Sequence, residues 1–209
     1  MPRILIVRPE NESDDQPRSF IERARRAQIV RAAVETIAEV GFAKASFARI
    51  AARAGISAGL ISYHFAGKDE LIGQVAADIK EAMDRAIGER AAGAGSYLAA
   101  LRAVIGGFVH YCAEHRAEMY ALREIAANGG PVEQDDAVGQ LAGMLRDGQE
   151  HGEFREFSPR LMALTLNAAL EAVPRELYSR ADTDAAAYAD ELASTFERAV
   201  RREGLRRRG

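Results

Sequence analysis

The chain of 209 residues has no tryptophan, one cysteine and six prolines, and aromatic residues make up only 7% of it. A single cysteine, Cys112, rules out an internal disulfide framework and suits a reducing cytoplasm. Scarce proline and β-branched residues beside abundant alanine favour helix over sheet. No apolar run approaches the length of a membrane span. The start, "MPRILIVRPENESDD", has four strong apolar residues before an arginine and a proline, which is no secretory leader. No Ser-His-Asp order, nucleophile elbow or phosphate-binding glycine loop occurs, so an enzyme is not expected. His110, Cys112 and His115 match no established zinc spacing, and neither metal nor cofactor is expected.

Charge of one sign is also lacking overall. The net charge is −3, which does not advertise a nucleic-acid partner. Its distribution is uneven. Residues 19–70 carry eight Lys/Arg against five acids, whereas residues 71–209 carry seventeen against twenty-two. A basic amino-terminal unit joined to an acidic remainder points to divided roles.

What is present is helical periodicity. Residues 1–18 mix polar residues without a period and read as a flexible arm, with "ILIV" at 4–7 as a conceivable strand. Ile29, Ala33, Ile37 and Val40 mark a first amphipathic helix that Gly41 stops. Ser46 and Ser57 read as N-caps of short helices at 47–54 and 57–65. Gly67 starts a long fourth helix with Leu71, Val75, Ile79, Met83 and Ile87 along one face. Five more follow, at about 96–114, 116–127, 132–150 and 158–179, with Asp182 or Thr183 capping the last. On that last helix Tyr188, Leu192, Phe196 and Ala199 form the expected inward stripe. Pro174 is expected to kink or end the eighth helix. The fold class is therefore all-α, with about nine helices.

The stretch 46–71 meets a demanding set of offsets. Two short helices crossing at a tight turn need a small residue at the crossing, a glycine in the turn and apolar residues on both sides. Ala51, Gly55, Ile50, Ala54, Ile56 and Ile61 supply them together. That is the geometry of a helix-turn-helix, whose second helix enters the major groove. Gly59 stands in that second helix at a cost of about 1 kcal/mol relative to alanine, which calls for a reason such as close approach to another surface.

"SFARIAARAGISAGLISYHFAGKDEL" (46–71) resembles the DNA-binding signature of the tetracycline-repressor (TetR) family. The resemblance implies a three-helix DNA-binding domain over 19–67, after the arm 1–18, and a helical ligand-binding and dimerisation domain over 68–209. It implies that Ser46 touches phosphate, that Ser57, Ala58, Gly59 and Ser62 lie nearest the base edges, and that Tyr63, His64 and Lys68 bond the DNA backbone. The chain departs from the commonest family pattern at Ala58 and Ser62, which removes base-reading hydrogen bonds. Ala58 and Leu60 offer only apolar contacts, such as to thymine methyls. Specificity is therefore expected to draw on DNA shape and on the arm, with Arg18, Arg23, Arg25 and Arg26 near phosphates or a minor groove. The same arginines read equally well as a solvated helix face.

A motif this small needs a second copy, so a homodimer on a palindromic operator is expected. The last two helices, with Ala163, Ala168, Ala169, Ala172, Ala185, Ala189, Ala193 and Ala199 beside Leu161, Leu164, Leu192 and Phe196, are the expected seam. In the middle helices Phe108, His110, Tyr111, Met119 and Tyr120 combine apolar bulk with polar tips. Arg123, Met144 and Asn167 complete a set that suits a pocket for an unknown small-molecule effector, or plain core. The expected function is a cytoplasmic, ligand-released transcriptional repressor. A ligand-independent architectural or cell-division factor of the same fold is the alternative, and a helical carrier or enzyme a third.

Overall fold

The computed structural model describes residues 20–130, 137–180 and 182–202. The arm 1–18 with its "ILIV" and Arg18, the start of the helix expected from Val132, and the basic tail from 203 lie outside the described residues.

Among the described residues the chain forms nine α-helices and one 3-10 turn. They are α1 (Phe20–Val40), α2 (Phe47–Ala54), α3 (Ala58–His64), α4 (Lys68–Ala92), α5 (Tyr97–Glu114), α6 (Arg116–Ala127), α7 (Ala137–Glu150), α8 (Pro159–Ser179) and α9 (Ala185–Val200), with the 3-10 turn at Phe42–Lys44. The caps follow simple chemistry. Ser46, Ser57, Ser96 and Ser158 each accept a backbone N–H three residues on, which satisfies an orphan donor of the first turn. The last helix starts later than its sequence suggests: Asp184, not Asp182 or Thr183, accepts from the amides of Ala186 and Ala187. Pro174 does not end α8, which continues to Ser179.

The chain divides into two compact units. The described part of the first comprises residues 20–81 and 117–130, hence α1 to α3, the first half of α4 and nearly all of α6. Its core holds Ile29, Ala33, Ile37, Ile50, Ile61, Phe65, Leu71 and Val75, all buried.

The second unit comprises the described residues of 82–116 and 137–202. Leu101 and Ile105 of α5, Leu145 of α7, Leu166 of α8 and Val200 of α9 form its core. The inward face of α9 is Ala189, Ala193, Phe196 and Val200, shifted from the expected stripe; Tyr188, Leu192 and Ala199 are only half-buried. Small residues at 189 and 193 let the backbone of α9 approach its neighbours closely, and this outweighs the larger side chains one position away. Phe154, in the α7–α8 connection, lies on Gly148, where no Cβ fits. Arg155 then donates its amide to the Val200 carbonyl at 2.9 Å, tying the connection to the end of α9.

Candidate nucleic-acid interface

The corner between α2 and α3 is built by its backbone. Gly55 takes the left-handed conformation, φ 67°, that other residues adopt at a cost. Its amide bonds Ala52 O at 3.3 Å, and Ile56 N bonds Ala51 O at 3.0 Å. This paired pattern closes a helix by satisfying its last carbonyls. Ile50 and Ile61 have no exposed surface and Ala51 and Phe65 almost none. Truncating either isoleucine to alanine removes about 2–5 kcal/mol by the usual cavity cost.

Burying Ile61 and Phe65 turns the opposite face of α3 outward. Ser57, Ala58, Gly59, Ser62 and Tyr63 are exposed, and Leu60 and His64 are half-buried. Tyr63 leaves 74% of its surface free and meets the His64 ring edge-on at 5.1 Å. Ser62 Oγ donates to Ala58 O at 3.3 Å, and Ser57 Oγ accepts from Leu60 N at 3.2 Å. Gly59 has room for a side chain: an added Cβ would meet only Ser57 Oγ, at 3.9 Å. None of the described residues requires glycine there.

Polar clamps hold this face in place. Gln28 of α1 donates to Ala54 O at 2.8 Å and accepts from Arg25 Nη1 at 2.6 Å. Arg53 of α2 pairs with Glu35, at 3.4 Å, and with Glu39, both on α1. Arg26, expected at the DNA backbone, has its guanidinium engaged within the unit by His64 O, Glu70, Gln74 and the Phe65 ring. It also borders a shallow polar cleft with Glu22, Tyr63 and His64. Lys68 is likewise occupied, with Nζ 3.0 Å from Phe42 O and 4.4 Å from the Phe42 ring centre. Both long side chains take acceptors from other segments of the same unit, Arg26 from the end of α3 and from α4, Lys68 from the turn that follows α1. Two exposed cations escaped the sequence reading: Lys44 and Arg49 have no ion-pair partner among the described residues. Arg49 stands one turn beyond the exposed cap Ser46, whose Oγ accepts its amide at 3.4 Å. A cation three residues past a cap, on the side away from the apolar positions, is the signal that marks it.

Residues 29–75 match the model of "Bacterial regulatory proteins, tetR family". A curated relative, an HTH-type transcriptional regulator BetI of Chromohalobacter salexigens, is 43% identical over 95 residues, 44% of this chain and 46% of that one. This chain spans less than half the length of the first curated relatives it matches. The BetI regulator of Escherichia coli is 30% identical over 184 residues, 87% of this chain and 94% of that protein. The chain belongs to the tetR family. Among solved structures, the regulator FadR from Bacillus subtilis in complex with stearoyl-CoA superposes with a TM-score of 0.64 at 21% identity, covering 80% of this chain and 95% of that one. At that identity the likeness is one of fold.

The tetR-family motif occupies only the first unit, and the residues expected to line an effector pocket fall in both. Met119, Tyr120 and Arg123 belong to the first unit, where Met119 is buried and the exposed Arg123 lies 5.7 Å over the Tyr120 ring. In the second, Phe108 and Met144 pack against its core. Tyr111 is buried and stacks on His115 at 4.2 Å. His110 Nδ1 lies 2.6 Å from Gly106 O of its own helix, and Asn167 donates to Glu171 at 2.8 Å.

On the expected seam, Ala163, Ala189, Ala193 and Phe196 are buried in the core of their own unit. The outer face of α8 is different. Leu161, Leu164 and Tyr178 are 64%, 45% and 53% exposed, and Ala168 and Ala172 between them are exposed as well. Leu161, Leu164, Ala168 and Ala172 recur at three- and four-residue steps along one side of the helix.

Proposed function

We propose that this tetR-family chain is a homodimeric, sequence-specific DNA-binding repressor, with residues 19–67 on the DNA and residues 68–209 carrying dimerisation and effector binding. The observation that carries the reading is the outward face of α3. Its exposed residues are small apart from the 74%-exposed Tyr63, and none of the described residues requires its glycine. Ser57, Ala58, Gly59, Leu60 and Ser62 approach base edges, while Ser46, Tyr63, His64 and Arg49 reach phosphates. With so few base-reading donors, DNA shape supplies much of the selectivity, and the arm assists through the minor groove.

The α8 face supports self-association. Exposed leucines and a tyrosine interleaved with alanines allow two copies of the helix to pack closely, and one duplex then receives two recognition helices. Effector release rests on family membership and on the ligand-bound neighbour FadR of Bacillus subtilis. Here Phe108, Met144 and their neighbours are the residues proposed to meet a mainly apolar effector with a polar group. The effector acts only through different affinities for the DNA-bound and free conformations.

Genomic-fragment selection on the purified full-length protein, read by sequencing, tests the proposal. It is expected to enrich fragments sharing an inverted repeat whose half-sites are a helical turn or a multiple apart. Enrichment of sequence-neutral fragments alone would overturn it.

A further inference from the structure

Arg26 stands on α1, yet among the described residues each group its guanidinium meets belongs to the end of α3 or to α4. Nη1 donates to the His64 carbonyl. Nη2 lies 3.4 Å from Glu70 Oε1 and 3.3 Å from Gln74 Oε1. Cζ sits 4.0 Å from the centre of the Phe65 ring, and the side chain is only 14% exposed. The acceptors are themselves held. Glu70 Oε2 accepts from Ala66 N at 2.6 Å, and Gln74 Nε2 donates to Asp78 Oδ1 at 2.7 Å.

The physics favours a cation at this spot. A helix of seven residues is too short to persist alone, and its last carbonyls lack intrahelical donors. A guanidinium there satisfies a carbonyl, faces the negative end of the helix dipole and stacks on the ring that anchors the helix. Its planar fork also joins two further oxygens, which an ammonium cannot reproduce in the same geometry. Three separate segments are thus gathered by one side chain: the close of α3, the Phe65–Gly67 link and the first two turns of α4.

We infer that Arg26 is a positioning residue of the recognition helix, locking His64 and Phe65 to the start of α4 through its ion pair with Glu70. This rests on the DNA-binding reading above. The competing role is a direct phosphate contact from the cleft that Arg26 shares with Tyr63 and His64.

The two roles differ in sign and in rescue. Full-length R26K, R26Q, E70A and R26Q/E70A are compared with wild type by fluorescence anisotropy on a duplex enriched from genomic fragments by wild type. Positioning predicts that R26K loses nearly as much affinity as R26Q, roughly tenfold or more for loss of charge-assisted bonds. It predicts that E70A also binds more weakly, although it removes a negative charge near a polyanion. The double variant is then no weaker than the weaker single one. R26K binding as wild type, or E70A binding more tightly, would overturn the inference. Hydrogen exchange at the Phe65 amide, bonded to Ile61 O at 2.9 Å, gives a readout independent of DNA. Both R26K and E70A are expected to speed it in the free protein. Unchanged exchange in both overturns the lock even if no duplex binds, and if the Arg26 variants fail to fold, E70A alone decides on both readouts.

Discussion

Gly59 states the trade at the scale of one residue. A mid-helix glycine lowers stability, and the space around it accepts a methyl group. Gly59→Ala is therefore expected to raise stability by about 0.5–1 kcal/mol through helix propensity, while weakening binding to a selected duplex. Thermal melting and anisotropy check the two halves. A variant that is stabilised and binds as well as wild type would remove the reason given for the glycine. Cys112 makes a second case. It is buried, and burial pushes its thiol up to about 12. The native thiol is thus expected to resist iodoacetamide at pH 8 and to react once urea unfolds the chain. Where the folded pKa is raised, the contribution to stability is whole below the unfolded value near 9.0 and is lost as pH rises toward about 12. Rapid native alkylation at pH 8 would contradict the burial.

Among the elements, α8 shows an exposed apolar side at Leu161 and Leu164. Leu161→Asp together with Leu164→Asp places charge on surfaces already exposed, so folding is expected to survive while self-association falls. Sedimentation velocity is expected to move from dimer to monomer, with melting within a few degrees of wild type. A dimer that persists would place the seam elsewhere. The elements were largely legible in the sequence because local rules set them. Ser46 and Ser57 cap, Gly55 turns and Pro159 opens a helix, each from information within a few residues. Two features were not legible for the same reason turned round. The inward face of α9 depends on how closely α5 can approach Ala189 and Ala193, and its cap at Asp184 competed with two adjacent polar residues. The engagement of Arg26 by groups 38 to 48 positions away is likewise tertiary, so a basic helix face gave no hint of which arginine is free.

For the whole molecule, charge and binding must be reconciled. On the proposed reading, a chain with net charge −3 approaches a polyanion through a local basic surface rather than through its overall charge. Only a few cations, such as Lys44 and Arg49, stand exposed without an ion-pair partner among the described residues of the first unit. Each phosphate contact contributes roughly −0.9 to the slope of log affinity against log salt. The direct measurement is anisotropy of the full-length protein on a duplex enriched from genomic fragments and on a scrambled duplex, across a salt series. The account predicts preference for the enriched duplex at every salt, and a slope that becomes shallower by about one unit per protomer in Arg49→Gln. Equal affinity for both duplexes throughout the series would contradict it.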